Sequence, residues 1–460
     1  MTLVEFVPPT PHPLWKLCPQ MGITDVIVKV NPELTGLPDP WRLSTLRSIV
    51  ERLKVEGLNV VGLEGDPFDM TPIKEYGAAE DFSRKERKDR KEEFRTNDNC
   101  HNCSQIANTN SNSQDRGFST FQPFNFSTGA NASAALRETT LAHYRELLES
   151  MARLGIKLLC YNFMVGKGWS RTGVREGRGG AKATYFSLND FSRNRLRRGY
   201  GGQEERKDII ELCNCGNMEL WKYENGDGGK CQSRNSIISE SHNSTIPQSH
   251  NLRLTAEQVW ANYEYFIKAV MPTAEKCGVR MALHPDDPCL DSLGGYARIF
   301  GSIEAYDRAC AIYPSPSNAV TFCQANFKLM LGNGERETVL AAKDAKISKT
   351  LRPLRSLRQK IETIAEAARH FGKRIAFIHV RDVEGTKEDF TELFHDQGDT
   401  DQFALMRVYR ELGLDVPVRG DHVPEMAYDR ILTPEGTPGY FTLGRLFANG
   451  YLKALLKSIA

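Results

Sequence analysis

The feature that most constrains this chain is a series of four strand-like segments in its second half, each ending near a potential metal ligand. The first segment, VRMALHPDDP (279–288), carries small and apolar residues followed directly by His284. The next three end on Cys323, on His379 and on Asp421. Short apolar runs are typical of buried strands, and α/β proteins place ligands at the carboxyl ends of such strands. The four segments therefore predict one shared site.

Eight strand-like segments can be counted along the whole chain, and a helical pattern follows most of them. They lie near 3–7, 23–30, 59–64, 157–163, 279–284, 319–323, 375–380 and 416–420. Alternating strands and helices imply parallel strands with right-handed crossovers. The sequence thus predicts an α/β fold, a (β/α)₈ TIM barrel with its site on the carboxyl face. The first unit is the least regular, because residues 8–21 are short and rich in proline for a helix.

Two long polar stretches interrupt this pattern. The first, about 80–134, opens with the charge run SRKERKDRKEEFR and continues with many Asn, Ser and Gly residues. The second, about 193–251, opens with RNRLRRGYGGQEERKD. Segments this polar cannot bury enough apolar surface to fold alone. We expect two irregular, flexible insertions on a single barrel domain that spans 1–460.

Composition narrows the range of partners. The chain has 460 residues, a formal net charge of +2, 40% hydrophobic and 26% charged residues, as in soluble globular proteins. A charge near zero gives no support for nucleic-acid or membrane binding, and no apolar run approaches the roughly 18–20 residues of a membrane span. The N-terminus lacks a signal-peptide pattern, and 11 cysteines are too sparse for a disulfide scaffold. A cytoplasmic protein with reduced thiols is expected.

The four strand-end residues form a plausible set of metal ligands. Neighbouring strands lie about 5 Å apart, so His284, Cys323, His379 and Asp421 would face one pocket. Imidazole, thiolate and carboxylate together suit Mn²⁺, Fe²⁺ or Zn²⁺. The alternative is a set of unrelated residues: a hydrogen-bonded histidine, a buried cysteine and a capping aspartate. Equivalent positions on four consecutive strands favour the metal site.

A second candidate metal site lies in the insertions. Cys100 and Cys103 form a CxxC pair, which is a zinc half-site, and Cys213, Cys215 and Cys231 follow more than a hundred residues later. These cysteines lack regular zinc-site spacing, so the barrel site is favoured. The sequence contains no Walker A motif, no dinucleotide glycine fingerprint and no G-x-S-x-G elbow.

Several motifs together resemble the mannonate dehydratase family over most of the chain outside the insertions. They are CYNFM (160–164), WSRT (169–172), VRMALHPDDP (279–288), Cys323, HVR (379–381), RGDH (419–422) and PGYFTLGR (438–445). The resemblance implies a metal-dependent TIM barrel that removes water from D-mannonate to give 2-dehydro-3-deoxy-D-gluconate in hexuronate (glucuronate) catabolism. It also implies that His284, Cys323, His379 and Asp421 bind the metal, with Mn²⁺ or Fe²⁺ favoured.

Further residues are expected to act on the substrate, a small sugar acid. The resemblance implies catalytic roles for Asp421, His422 and Tyr440, because dehydration needs a base at the α-carbon and an acid at the leaving hydroxyl. Arg171 and Arg381 are candidates to bind the substrate carboxylate bidentately, with a salt bridge as the alternative. The candidate substrate-binding set is completed by Trp169 and Asn162.

Some positions depart from the family pattern and keep other interpretations open. Glu5-Phe6 stands where the family has an arginine-aromatic pair, Lys29 stands near a strand end that carries histidine in the family, and residues 66–69 replace a histidine-containing loop. Three hypotheses follow: a mannonate-type dehydratase, another metal-dependent sugar isomerase or epimerase on this barrel, or a non-catalytic member that keeps the fold. Assembly into a homo-oligomer is compatible with each.

Overall fold

The computed structural model describes residues 1–30, 39–77, 130–166, 168–193, 253–332, 361, 363–434 and 436–459. Nearly all of both predicted insertions, and all five cysteines of the second candidate metal site, lie outside these residues. The predicted end of the first insertion needs correction, because residues 130–134 begin a helix, Ala130–Arg153. The alanine-rich start of that segment has high helix propensity.

Fifteen strands occur in the described part of the chain. They are β1 (Thr2–Leu3), β2 (Glu5–Val7), β3 (Asp25–Val28), β4 (Asn59–Glu64), β5 (Leu158–Tyr161), β6 (Gly173–Glu176), β7 (Lys182–Ser187), β8 (Arg280–Leu283), β9 (Ser292–Leu293), β10 (Tyr296–Ala297), β11 (Asn318–Cys323), β12 (Ile375–Val380), β13 (Val383–Thr386), β14 (Asp389–Glu392) and β15 (Pro417–Gly420). Nine of them form one parallel sheet, in the order β1-β15-β12-β11-β8-β5-β4-β3-β2.

This sheet closes into a barrel because β1 and β2 are two halves of one segment. β1 pairs with β15, β2 pairs with β3, and between them the backbone N–H of Val4 donates to the carbonyl of Val418 at 2.9 Å. The nine strands therefore occupy eight positions around the barrel. The predicted (β/α)₈ fold is confirmed.

Eleven α-helices accompany the strands in the described residues. They are α1 (Pro13–Gln20), α2 (Leu43–Val55), α3 (Thr71–Lys74), α4 (Ala130–Arg153), α5 (Ala256–Cys277), α6 (Ile303–Ile312), α7 (Gln324–Leu331), α8 (Ile364–Phe371), α9 (Gln402–Glu411), α10 (Asp429–Leu432) and α11 (Thr442–Ser458). None of these helices has the length and apolar character that a membrane crossing requires.

The first unit contains a helix, contrary to the expectation from its prolines. Pro13 occupies the first turn of α1, where its missing N–H has no partner to lose. The side chain of His12 accepts a hydrogen bond from the backbone N–H of Leu14 at 3.2 Å, which caps the helix. Pro13 therefore marks the start of this helix, and Pro19 lies in its last turn.

The core of the described residues has three parts: one between strands and helices, one drawn from the barrel segments alone, and one that includes Phe186, Val383 and Phe390. The second part consists of Val4, Ile27, Leu158, Cys160, Ala282, Ala319, Ala376 and Phe377. Successive side chains of a strand point to opposite faces. His284 therefore points to the same face as Ala282, two residues earlier, and His379 points to the same face as Phe377. The apolar interior thus ends at the carboxyl face in polar side chains.

A four-stranded antiparallel sheet is an addition that the sequence analysis missed. Its order is β13-β14-β7-β6, and it joins the segment after β5 to the segment after β12. The segment after Trp169 and Arg171 forms β6 and β7, which pair with each other. β7 also pairs with β14 of the distant β13–β14 hairpin.

A buried ion pair fastens the first barrel segment to the last helix. Arg445 of α11 donates through Nε to Glu5 Oε1 at 3.1 Å, and the amide of Asn449 also donates to the Glu5 carboxylate. Arg445→Met would leave that carboxylate buried without its cation, so we expect a loss of about 3–5 kcal/mol in unfolding free energy. Urea denaturation measures this loss.

The control for this prediction is an exposed ion pair. Arg369 lies 3.7 Å from Glu411, and both side chains are more than half exposed. Arg369→Met should leave the urea midpoint nearly unchanged. Equal midpoints for the Arg445 and Arg369 variants would contradict a structural role for the buried pair.

Candidate active site

The structure brings together the four residues predicted to bind a metal. One ligand atom from each of His284, Cys323, His379 and Asp421 lies within 4.8 Å of those from the other three. These residues end or follow β8, β11, β12 and β15, which are consecutive in the sheet. Cys323 and His379 are register partners. Parallel neighbours thus end at the same level and present their polar residues to one point.

Two of these side chains are prepared to bind a cation. The Nδ1 atom of His284 lies 2.8 Å from the carbonyl oxygen of Pro285, so Nδ1 carries the proton and Nε2 keeps its lone pair. Burial alone would raise the pKa of the Cys323 thiol, but the neighbouring His284, His379 and Arg381 side chains lower it to about 6. Thiolate is the form that binds metals.

His379 provides the test of whether these residues fit a metal. Its side chain is fully buried, yet neither ring nitrogen has a hydrogen-bond partner among the described residues. Asp421 Oδ2 lies 3.4 Å from Nδ1 and Glu64 Oε2 lies 3.6 Å from Nε2. Buried polar atoms without partners are rare in native proteins. A cation between these groups would satisfy the imidazole, so the residues fit a metal ion.

The electrostatics of the cluster also favour a cation. Burial would lower the pKa of His379, but the carboxylates of Glu64 and Asp421 raise it well above its ordinary range. Arg419 neutralises one of these charges, since its Nη2 and Nε donate to Glu64 at 2.6 and 3.1 Å and its Nη1 donates to Asp421 at 2.8 Å. With the Cys323 thiolate and with His379 in the neutral form that binds a metal, a charge of −2 remains, which matches a divalent ion.

A second group of ligand-type atoms shares His379 with the first. Glu64, Cys160 and His379 also lie within 4.8 Å of one another. However, both oxygens of Glu64 accept from Arg419, and burial raises the pKa of the Cys160 thiol, which keeps it protonated. The first group is therefore the better cation site, and Glu64 and Cys160 lie behind it.

His422 and Tyr440 form a hydrogen-bonded pair beside this cluster. His422 Nε2 lies 2.8 Å from the Tyr440 hydroxyl oxygen, and that hydroxyl lies 3.4 Å from Asp421 Oδ1. The backbone φ of His422 is +44°, which is uncommon for a residue other than glycine. This turn after β15 places Asp421 and His422 in the same site.

The two remaining predicted substrate-binding residues differ in their surroundings. The ring centroid of Trp169 lies 5.0 Å from that of His422 and 6.3 Å from that of Tyr440. The Trp169 Nε1 atom is buried with no hydrogen-bond partner among the described residues. Asn162 follows β5, and its side-chain oxygen accepts from Lys74 Nζ at 3.0 Å. Trp169 therefore lines the site directly, whereas Asn162 belongs to a polar contact at its side.

Arg171 and Arg381 are in internal salt bridges, which corrects the expectation that they bind a substrate carboxylate. Both are fully buried. Both contact Asp287, at 2.8 and 2.7 Å, and both contact Glu392. All five N–H donors of Arg171 have internal acceptors, so this guanidinium has no donor left for a ligand. The alternative interpretation, a salt bridge, describes both arginines.

Sequence reasoning missed several residues that surround the site and contact its members. Asp287 stands inside the HPDDP motif, so the motif itself could have indicated it. Arg419 stands in RGDH, and Glu64 ends a predicted strand. Glu392 had no such signal, because it lies on β14, outside the eight barrel strands.

Comparison with known proteins identifies the family. A family model described as D-mannonate dehydratase (UxuA) matches residues 97–348 and 354–460. The chain belongs to the D-mannonate dehydratase family. Members of this family are hydro-lyases, and the curated relatives agree with the assignment. Mannonate dehydratase 2 of Halalkalibacterium halodurans is 26% identical over 336 residues, which are 70% of this chain and 77% of that protein.

Two further comparisons support the same family and fold. The mannonate dehydratase of Thermotoga petrophila is 27% identical over 329 residues, 70% of this chain and 76% of that protein. The crystal structure of mannonate dehydratase from Streptococcus suis serotype 2 superposes with a TM-score of 0.60 at 20% identity, covering 100% of this chain and 94% of that one. The latter similarity confirms the barrel fold.

Proposed function

We propose that this protein dehydrates D-mannonate to 2-dehydro-3-deoxy-D-gluconate and water, as a step of hexuronate (glucuronate) catabolism. The observation that carries the proposal is the buried, unpartnered imidazole of His379 within the four-residue cluster, next to the His422–Tyr440 pair. Membership of the D-mannonate dehydratase family supports this substrate. A reducing, cytoplasmic setting accords with the free thiols of all six described cysteines.

The cofactor in this proposal is one divalent ion, Mn²⁺ or Fe²⁺, held by His284, Cys323, His379 and Asp421. A mixed set of imidazole, thiolate and carboxylate ligands is compatible with either ion. When bound, the ion stabilises the negative charge that develops next to the α-carbon as the α-proton leaves. These four side chains would hold the ion and would leave it accessible to substrate oxygens.

The proton chemistry falls to Tyr440 and His422. Tyr440 is partly exposed and His422 is buried behind it. Glu392 Oε1 lies 3.1 Å from His422 Nδ1, so Nδ1 donates to this carboxylate and the lone pair of Nε2 accepts from the Tyr440 hydroxyl. In this arrangement Tyr440 meets the substrate, and its proton can pass to His422 Nε2. Positioned acid–base pairs of this kind typically contribute about 10²–10⁴ in rate.

Trp169 is the proposed contact for the body of the substrate. Its ring stands beside both members of the proton-transfer pair, and its Nε1 is a buried donor with no acceptor in the described part of the chain. A sugar acid carries hydroxyl and carboxylate oxygens that can accept from this nitrogen. Trp169 thus offers the substrate a hydrogen-bond donor, whereas the guanidinium groups of Arg171 and Arg381 are paired with internal carboxylates.

The proposal is tested by incubating Mn²⁺-loaded protein with D-mannonate and measuring the 2-keto product. D-gluconate, the C2 epimer, is the matched control substrate. We expect product from D-mannonate at a kcat/KM at least tenfold above that for D-gluconate, since the base must face the C2 proton. A protein that interconverts sugar epimers without forming the 2-keto product would instead be an isomerase or epimerase. Absence of any turnover would indicate a non-catalytic family member.

A further inference from the structure

A buried quartet of two arginines and two carboxylates lies beside the proton-transfer pair. It consists of Arg171, Arg381, Asp287 and Glu392, all at most 1% exposed. Each carboxylate contacts both guanidinium groups. Two positive and two negative charges leave the quartet without net charge. Burying four charges is costly unless their geometry satisfies nearly every donor and acceptor. The contacts hold the two carboxylates in fixed positions.

The two carboxylates of the quartet differ in one contact. Glu392 Oε1 accepts from Arg171 Nε at 3.0 Å and from Arg381 Nη2 at 2.7 Å, and it also lies 3.1 Å from His422 Nδ1. Asp287 accepts from the same two arginines. No hydrogen bond joins Asp287 to His422 in the described structure. Arg171 Nη2 also lies 3.4 Å from His422 Nδ1, but this nitrogen already donates to Asp287 and Glu392. Glu392 is therefore the carboxylate that connects the quartet to the proton-transfer pair.

The protonation of Glu392 determines the tautomer of His422. Burial would raise the pKa of Glu392, but Arg381, Arg171 and His422 hold it well below its ordinary range. An ionised carboxylate only accepts hydrogen bonds, so the nitrogen that faces it must carry the proton. The other nitrogen, Nε2, then keeps its lone pair 2.8 Å from the Tyr440 hydroxyl.

We propose that Glu392 is a positioning residue that fixes the Nδ1-protonated tautomer of His422, so that Nε2 can accept the proton of Tyr440. As Nε2 gains that proton, the imidazole becomes a cation next to the Glu392 carboxylate, which stabilises it. The two arginines keep Glu392 from turning away. The antiparallel sheet that carries Glu392 on β14 therefore serves the reaction as well as the fold. The kinetic part of this inference rests on the proposed dehydratase function.

The quartet offers a matched pair of variants to test the proposal. Glu392→Ala and Asp287→Ala each remove one negative charge from the same two arginines, and we expect similar losses of melting temperature. Only the Glu392 variant removes the acceptor of His422. We expect its kcat for D-mannonate to fall about 10²–10⁴-fold with little change in KM, while kcat of the Asp287 variant falls less than tenfold. Elemental analysis checks that both variants keep their metal.

The tautomer itself is measured by NMR of ¹⁵N-histidine-labelled protein. Zinc-loaded protein is used because Mn²⁺ is paramagnetic, and His422→Asn identifies the His422 signals by their loss. We expect Nδ1 to be protonated in the parent and in Asp287→Ala, and the Nε2-protonated form to appear in Glu392→Ala. Should an alanine variant fail to fold, Glu392→Gln and Asp287→Asn provide the same kinetic comparison, because an amide cannot stabilise the imidazolium as a carboxylate does.

The outcomes separate this inference from the proposed function. An Nε2-protonated parent, or equal effects of the Glu392 and Asp287 variants on tautomer and kcat, would overturn the role of Glu392. A parent that shows no dehydration, but whose His422 tautomer changes only in the Glu392 variant, would refute the dehydratase function and support the positioning contact. The NMR measurement needs no turnover, so it tests the contact between Glu392 and His422 even if the protein does not dehydrate D-mannonate.

Discussion

His379→Ala should release the metal and lower the melting temperature of the protein in one step. The imidazole is buried, and neither of its nitrogens has another hydrogen-bond partner in the described residues. A ligand that binds only the native state stabilises it by about 2.7 kcal/mol at a concentration a hundredfold above its Kd. Loss of the ligand therefore removes stability as well as the ion. Elemental analysis and differential scanning calorimetry measure the two effects.

A surface histidine provides the control. His370 pairs with Asp307 at 2.7 Å and lies partly exposed on α8, outside the cluster. His370→Ala should keep a full equivalent of metal. A chelator should lower the melting temperature of the parent and of the His370 variant, but not that of His379→Ala. If His379→Ala retains a full equivalent of metal, the ligand assignment is wrong.

His422→Asn should keep the metal and lose turnover. His422 lies next to Asp421 in sequence, but the shortest contacts of its ring nitrogens are to Glu392 and Tyr440. We expect kcat to fall about 10²–10⁴-fold, the usual contribution of a general acid–base group, with little change in folding. Stopped assays with D-mannonate, together with metal analysis of the same samples, test this expectation.

Asp421→Asn is the contrasting variant for this pair of neighbours. Asp421 belongs to the four-residue cluster, so its replacement should reduce metal occupancy and activity together. Parental kcat in His422→Asn would mean that this histidine is structural, and Tyr440 alone would become the proton-transfer candidate. Tyr440→Phe then decides whether the hydroxyl acts.

Local sequence patterns were sufficient to predict the barrel and its cluster. The strands are apolar runs, and a change to polar residues marks their ends. Both features can be recognised from residues that are adjacent in the sequence. His284, Cys323, His379 and Asp421 each occupy such an end. Because parallel strands in a closed barrel end on one face, their proximity followed from the strand order. The structure places them as expected.

The parts that sequence could not predict depend on distant pairings. Glu392 contacts Arg171 across 221 residues of chain, and no pattern near either residue indicates the other. The sequence left substrate binding and a salt bridge open for the two arginines, because composition says nothing about internal carboxylates. The antiparallel sheet was missed for the same reason, since β7 pairs with β14 from a separate barrel unit. The helix α1 was missed for a different reason. Its cap and its N-terminal proline are visible in the sequence, but the number of prolines in the segment argued against a helix.

The central claim is that a metal ion is held at the carboxyl ends of β8, β11, β12 and β15. X-ray absorption spectroscopy of Mn²⁺-loaded protein tests it most directly, because Cys323 is the only sulfur ligand in the cluster of the described residues. The account predicts one ion per chain with a single sulfur and otherwise nitrogen and oxygen ligands, and loss of the sulfur in Cys323→Ser. A shell with two or more sulfurs that persists in Cys323→Ser would contradict it and would point to the CxxC pair at Cys100 and Cys103.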